Sequence, residues 1–172
     1  MRLIGIPASA VQRAKAKADE MGLLNNSITS GHGNVAGFVG EEVARFVMGG
    51  TEKNTFDYDL ILDDGSRVDI KTKRTKAKPQ PHYDCSVAAY NTRQDCDLYA
   101  FVRVHNDLKI AWFLGVYPKD AYYRDARFLR RGEVDQANNF TVKADCYNLS
   151  IDKLYTFSAC CQRRRKTQNM TP

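Results

Sequence analysis

From residue 67 to residue 73, Val68, Ile70 and Thr72 lean one way while Asp69, Lys71 and Lys73 lean the other. This period of two is that of a half-buried strand. Residues 56–62 form a second run of strand character, and the polar turn Asp63-Asp64-Gly65 between them makes the pair a hairpin. A helical period governs 34–48, where Phe38, Val39, Val43, Phe46 and Val47 make one apolar stripe, with Asn34 as cap and Gly49-Gly50 as stop. An earlier helix is predicted over 10–21, started by Pro7-Ala8-Ser9 and stopped at Gly22. Further strands are expected at 85–90, 98–105 and 110–116, with a short helical turn at 91–96. Beyond Pro118 the pattern thins to a helical turn at 120–124, strands near 127–129 and 140–146, and a short helix after Ser150. The stretches 25–33 and 75–81 read as loops. The mixture predicts an α/β fold, a mixed central β-sheet flanked by helices, as one domain over 1–161 with a basic, frayed tail at 162–172.

Composition narrows the class. At 172 residues and 43% hydrophobic content the chain can bury one core. No apolar run approaches the roughly 20 residues of a membrane span, and the first seven residues are too short for a secretory signal. A cytoplasmic protein without membrane contact is expected. Cys85, Cys96, Cys146, Cys160 and Cys161 include no C-x-x-C pair, so reduced thiols are expected and a zinc cage lacks its usual spacing. The net charge of +6 suits a polyanionic partner. Five of the eight residues at 71–78 are basic, and Arg163-Arg164-Arg165-Lys166 forms a second block.

The candidate chemistry lies on the hairpin. A three-residue loop, Asp63-Asp64-Gly65, sets Asp59 opposite Asp69 and Asp57 opposite Lys71 on one face; a two-residue loop would split them. The three-residue form is expected. Facing carboxylates repel, so a cation must compensate: Lys71, or a hard metal ion held by oxygen ligands. An acid pair, a metal and a lysine can together cleave a phosphodiester.

These residues resemble the PD-(D/E)xK nuclease superfamily, which includes restriction endonucleases and Holliday-junction resolvases. Gly40-Glu41 is similar to its helical glutamate, Asp59 to its first aspartate, and Asp69-Ile70-Lys71 to its (D/E)xK element. The segments Gly37-Phe38-Val39-Gly40-Glu41, Tyr58-Asp59, Asp69-Ile70-Lys71-Thr72-Lys73-Arg74 and Tyr83-Asp84-Cys85-Ser86-Val87 resemble a group of small, phage-type nuclease-like proteins. The likeness covers about 27–117, with Tyr58 where the family commonly has proline and Asp69 in place of the commoner glutamate. It implies a restriction-endonuclease-like core and a Mg²⁺- or Mn²⁺-dependent nuclease acting on DNA and leaving a 5′-phosphate. Glu41, Asp59, Asp69 and the Ile70 carbonyl are the implied metal ligands, Lys71 positions the attacking water, and a homodimer is the implied assembly.

Helical periodicity alone selects Glu42 as the inward acid, whereas the Gly-Glu pattern selects Glu41 and is followed. Glu42, Asp57 and Tyr83 are expected behind the metal ligands, although Asp57 also suits a hairpin-edge charge and Tyr83 strand packing. Lys73, Arg74, Lys76 and Lys78 run on from the active strand and are expected to contact phosphates without reading bases. His32-Gly33-Asn34 raises another nuclease type, in which a histidine is the general base, but a lone histidine in a Gly-rich loop is ordinarily loop chemistry; His82 and His105 have no partner in sequence. A binding module of the same fold that does not cut is the rival reading.

Overall fold

The computed structural model describes residues 1–21, 34–53, 55–136 and 140–161. In chain order the elements are β1 (Arg2–Gly5), α1 (Ala8–Met21), α2 (Asn34–Met48), β2 (Thr51–Glu52), β3 (Leu60–Ile61), β4 (Arg67–Thr75) and β5 (Asp84–Ala88). There follow β6 (Leu98–His105), β7 (Ile110–Pro118), α3 (Lys119–Asp125), β8 (Arg127–Leu129), β9 (Val134–Asp135), β10 (Phe140–Thr141) and β11 (Cys146–Ser150). Turns of 3-10 helix occupy Ala89–Arg93 and Ile151–Lys153. The Gly22 stop, the 25–33 loop with His32, and the 162–172 tail with its basic block lie outside the described residues.

Six strands form one sheet in the order β1-β7-β6-β4-β3-β2. Only β4 and β6 run parallel; every other pairing in it is antiparallel, so the sheet is mixed and the fold α/β. Alternation along the strands gives the sheet two apolar faces. Val68, Ile70, Ala100, Val102 and Val104 pack with Phe38, Val39, Val43 and Ala44 of α2 and Ala14 of α1. Tyr99, Phe101, Trp112 and Leu114 point the other way, into Tyr122 of α3 and Cys85, Val87 and Leu149 of a small antiparallel sheet, β5-β11-β8. Helices therefore cover one face, and a second sheet covers most of the other. Among the described residues no helix is long and apolar enough to cross a membrane.

The structure departs from the sequence pattern in four places. The first strand of the hairpin shrinks to Leu60–Ile61, because Thr55 Oγ1 accepts from Asp57 N and Tyr58 N at 3.2 and 3.0 Å and curls 55–58 into a turn. The single strand expected at 140–146 is two, β10 and β11, which belong to different sheets. Strands β1, β2 and β9 carried no readable alternation; each is four residues or fewer. Phe46, counted in the apolar stripe of α2, is 69% exposed, with the Arg2 guanidinium 5.7 Å from its ring centroid. The stripe is rotated because the row Ala36, Gly40, Ala44, spaced one turn apart, is buried instead.

Gly40 explains that rotation. A Cβ built on it would lie 1.9 Å from Thr72 Oγ1 and 2.8 Å from Thr72 Cγ2 on β4. Absence of a side chain lets the helix backbone settle directly on the strand. Gly40→Ala should destabilise the fold by about 1–3 kcal/mol through overpacking, more than the roughly 0.5–1 kcal/mol that alanine gains over glycine inside a helix. Urea unfolding measures this, and Thr72→Ala in the same chain should restore part of the loss; an unchanged midpoint for Gly40→Ala would show that the contact is not tight.

Candidate active site

The hairpin closes as a three-residue loop. Leu62 N donates to Ser66 O at 2.9 Å, Gly65 N to Leu62 O at 2.9 Å, and Gly65 sits at φ +80, where a side chain would be strained. Leu60 then pairs with Val68 and Ile61 with Arg67, which by continuation puts Asp59 across from Asp69. The ladder ends there. Asp59 N donates to Val68 O at 2.9 Å, and the Asp59 carboxylate folds back so that Oδ2 accepts from Ile70 N at 2.6 Å. Asp59 thus lies at the open edge of β4, next to Asp69 but not beside it on the same face. Because a strand residue presents its N–H and C=O to one neighbour, the Ile70 carbonyl looks to the same edge.

Asp69 and Lys71 share the face opposite α2, as their alternation requires. Asp69 Oδ2 lies 2.6 Å from Lys71 Nζ. Asp69 Oδ1 accepts from Gln94 Nε2 at 3.0 Å, and Gln94 Oε1 accepts from Lys71 Nζ at 3.2 Å. Gln94 Nε2 also donates to Phe56 O at 2.8 Å, so one buried amide ties the acid, the lysine and the turn at 55–58 together. Lys71 Nζ stands 5.6 Å from the Tyr99 ring centroid.

Glu41 reaches the same edge from the helix side. Its Oε2 is buried and has no hydrogen-bond partner among the described residues. Burial first, and the nearby Asp59 carboxylate second, push its carboxyl up to about 8. Burial and Asp69 raise Asp59, while the Ile70 N–H and Lys71 pull it down; burial also raises Asp69 against the pull of Lys71. Lys17 of α1 forms an ion pair with Glu52 of β2 and lowers Glu41 in turn. The result is a group of mutually acting acids, Glu52, Glu41, Asp59 and Asp69, with Lys17 paired to Glu52 and Lys71 to Asp69.

Glu42, the acid that periodicity alone selects, belongs to another contact. Its Oε1 and Oε2 accept from Arg13 Nε and Nη2 at 3.1 and 3.0 Å, and Oε2 also accepts from Arg45 Nη2 at 3.0 Å. These guanidinium bonds hold its carboxyl below the usual range and tie α2 to α1. Asp57, expected opposite Lys71, instead accepts from Asp95 N at 3.1 Å. Tyr83 sits away from the acids, edge-on to His82 at 4.9 Å. Lys73, Arg74, Lys76 and Lys78 are all exposed, at the end of β4 and on the loop after it, and Lys73 also lines a groove with Arg103. His105 holds Asp107 and the Lys76 carbonyl at 2.8 and 3.1 Å. Cys85, Cys96, Cys146 and Cys161 are free thiols, and burial pushes Cys85 and Cys96 up to about 12, which keeps them protonated.

Gln94, Lys17 and Glu52 were not singled out from the sequence. Gln94 falls between two elements with no periodicity to mark it, and Lys17 and Glu52 meet only through tertiary packing. Carboxylate oxygens are the donors a hard cation takes, and the partnerless Glu41 Oε2 beside two raised acids fits such an ion. Among the described residues, no three His, Cys, Asp or Glu side chains are drawn up as a ready-made metal cage. No protein-family model matches the sequence, and no curated protein matches it either.

The Glu41 shift has a stability consequence with a definite sign. The unfolded chain releases this proton near pH 4.5, while the folded chain keeps it to about pH 8. Between these values the folded state binds more protons, so stability falls as pH rises, by at most about 1.4 kcal/mol per pH unit. In EDTA, Glu41→Gln should therefore melt at a higher temperature than the parent at pH 8 and at a similar one near pH 4.5. Melting curves across that range give the comparison; a parent and variant that keep a constant difference would show that folding does not shift the Glu41 proton.

Proposed function

We propose that this chain is a divalent-metal-dependent nuclease with a restriction-endonuclease-like core, hydrolysing phosphodiester bonds in DNA. One observation carries the reading: the half-buried carboxyls of Glu41 and Asp59 and the buried one of Asp69 act on one another beside β4, with Lys71 held against Asp69. A helix and a hairpin supply them in the order and spacing that the PD-(D/E)xK resemblance implies. Buried acids crowded together cost stability, and the cost is repaid where a cation or a developing charge uses them.

In this reading Glu41, Asp59, Asp69 and the Ile70 carbonyl would hold Mg²⁺, or Mn²⁺ in its place. Such an ion, when bound, polarises a phosphoryl oxygen and makes a water more acidic. Lys71 Nζ orients the attacking water and balances negative charge gathering on the phosphate. Gln94 fixes the ammonium and the carboxylate relative to each other. The turn at 55–58, pinned by Gln94 and Asp95, keeps Asp59 at the strand edge. Arg74, Lys76 and Lys78 would draw in backbone phosphates without reading sequence. The product would carry a 5′-phosphate, the setting would be the cytoplasm, and a homodimer would allow both strands of a duplex to be cut.

A DNA-binding module that does not cut is the second reading. It is favoured by one feature: Asp69 is ion-paired with Lys71 and hydrogen-bonded by Gln94, with no metal cage drawn up around it among the described residues. Incubating supercoiled, single-stranded and branched DNA with Mg²⁺, Mn²⁺ or EDTA separates the two. Cleavage with metal and none in EDTA is expected, and Lys71→Ala should slow it by about 100-fold or more. Cutting that is unchanged in Lys71→Ala would remove the mechanism, and binding without cutting would establish the module.

A further inference from the structure

Between the six-stranded sheet and the small β5-β11-β8 sheet runs a groove of about 320 Å³, lined in part by Lys73, Arg103, Tyr83, Ser86 and Asn148. A smaller recess beside it, of about 110 Å³, shares Lys73 and Arg103 and reaches Lys71. Lys73 on β4 and Arg103 on β6 are register partners, so their side chains rise together from one face. Like charges set opposite each other repel. Arg103 is 7% exposed, and its Nη2 donates to the main-chain oxygen of Asp84 at 2.7 Å. Neither cation makes an ion pair among the described residues. The acids in the groove wall are shared with a third cation: Asp84 and Asp135 lie 3.0 and 3.3 Å from the guanidinium of Arg127, while Asp84 also acts on Lys73 and Arg103. Loss of water around the groove lowers both Lys73 and Arg103, and Arg103 lowers Lys73 further. Two apposed cations whose nearby acids are shared with Arg127 leave room for an anion.

We infer that Lys73 and Arg103 form a phosphate-binding site for a single nucleic-acid strand, one step along from the phosphate at Lys71. The identity of the anion rests on the nuclease reading. Two residues along a strand advance about 6.6 Å, which is of the order of one nucleotide step in an extended strand. At about 320 Å³ the groove has the volume of a small-ligand pocket, room for part of one strand and not for a duplex. It therefore selects a single strand or a frayed or branched end.

Binding of a fluorescent oligodeoxythymidylate in EDTA tests the site without any cutting. Anisotropy is followed over a range of salt concentrations for the parent, Lys73→Gln, Arg103→Gln and the exposed control Lys153→Ala. Each lost phosphate contact should reduce the slope of log K against log salt by about 0.7, so Lys73→Gln should show that loss and Lys153→Ala should not. Arg103→Gln should match it where its melting curve shows a folded chain; Lys73→Gln carries the test alone where it does not. A parental slope for Lys73→Gln, or no binding by the parent, overturns the site. Displacement by millimolar orthophosphate with the oligonucleotide slope unaltered would assign the groove to a free anion and overturn the strand assignment. A reduced slope in a protein that never cuts DNA would keep this site and sink the nuclease reading, whereas metal-dependent cutting with a parental slope would do the reverse.

Discussion

Asp69 and Lys71 stand two residues apart on β4 with their charges 2.6 Å from each other, and Gln94 bonds both. This pair makes the buried acids tolerable. Burial raises the carboxyls of Glu41, Asp59 and Asp69, and each crowds its neighbours; Lys71 and Lys17 pull against that. Without a cation so close, a carboxylate on a buried strand face would stay protonated or drive the edge of the sheet apart. The surrounding fold serves the same end. Gln94 turns its amide to both partners at once, and its third bond holds the turn that delivers Asp59.

The acids reach this corner from three directions, and each route depends on a local rule. Asp69 comes from strand alternation, Asp59 from a ladder that stops one residue short, and Glu41 from a helix brought close by a glycine. The last depends on Gly40 resting against Thr72. A bulkier residue would lift α2 from β4 and carry Glu41 away from Asp59. Among the described residues, helices cover one face of the sheet and a small sheet covers most of the other, so the strand edges give these groups an open approach.

Much of this was legible from the chain. The two long helices, the strands at 98–105 and 127–129, the three-residue turn and the facing of Asp69 and Lys71 all follow from periodicity and turn chemistry, and the structure has them. What periodicity misjudged was the rotation of α2. It counts apolar residues, whereas the helix is seated by its small ones, so Phe46 points outward and Glu41, rather than Glu42, turns toward the acids. Asp57 was misjudged because Thr55 curls the chain before a strand can form. Gln94 was invisible for a different reason: its three bonds reach residues 23 to 38 positions away, and no local pattern records them.

The tight connection at Asp63-Asp64-Gly65 is constrained from both of its flanks. Leu60 is fully buried under α2, and Asp59 beside it must meet the Ile70 N–H. Lengthening or shortening that connection by a single codon would set these two demands against each other, since neighbouring strand residues face opposite ways. The turn is thus held to its length and to glycine at position 65, where φ is +80.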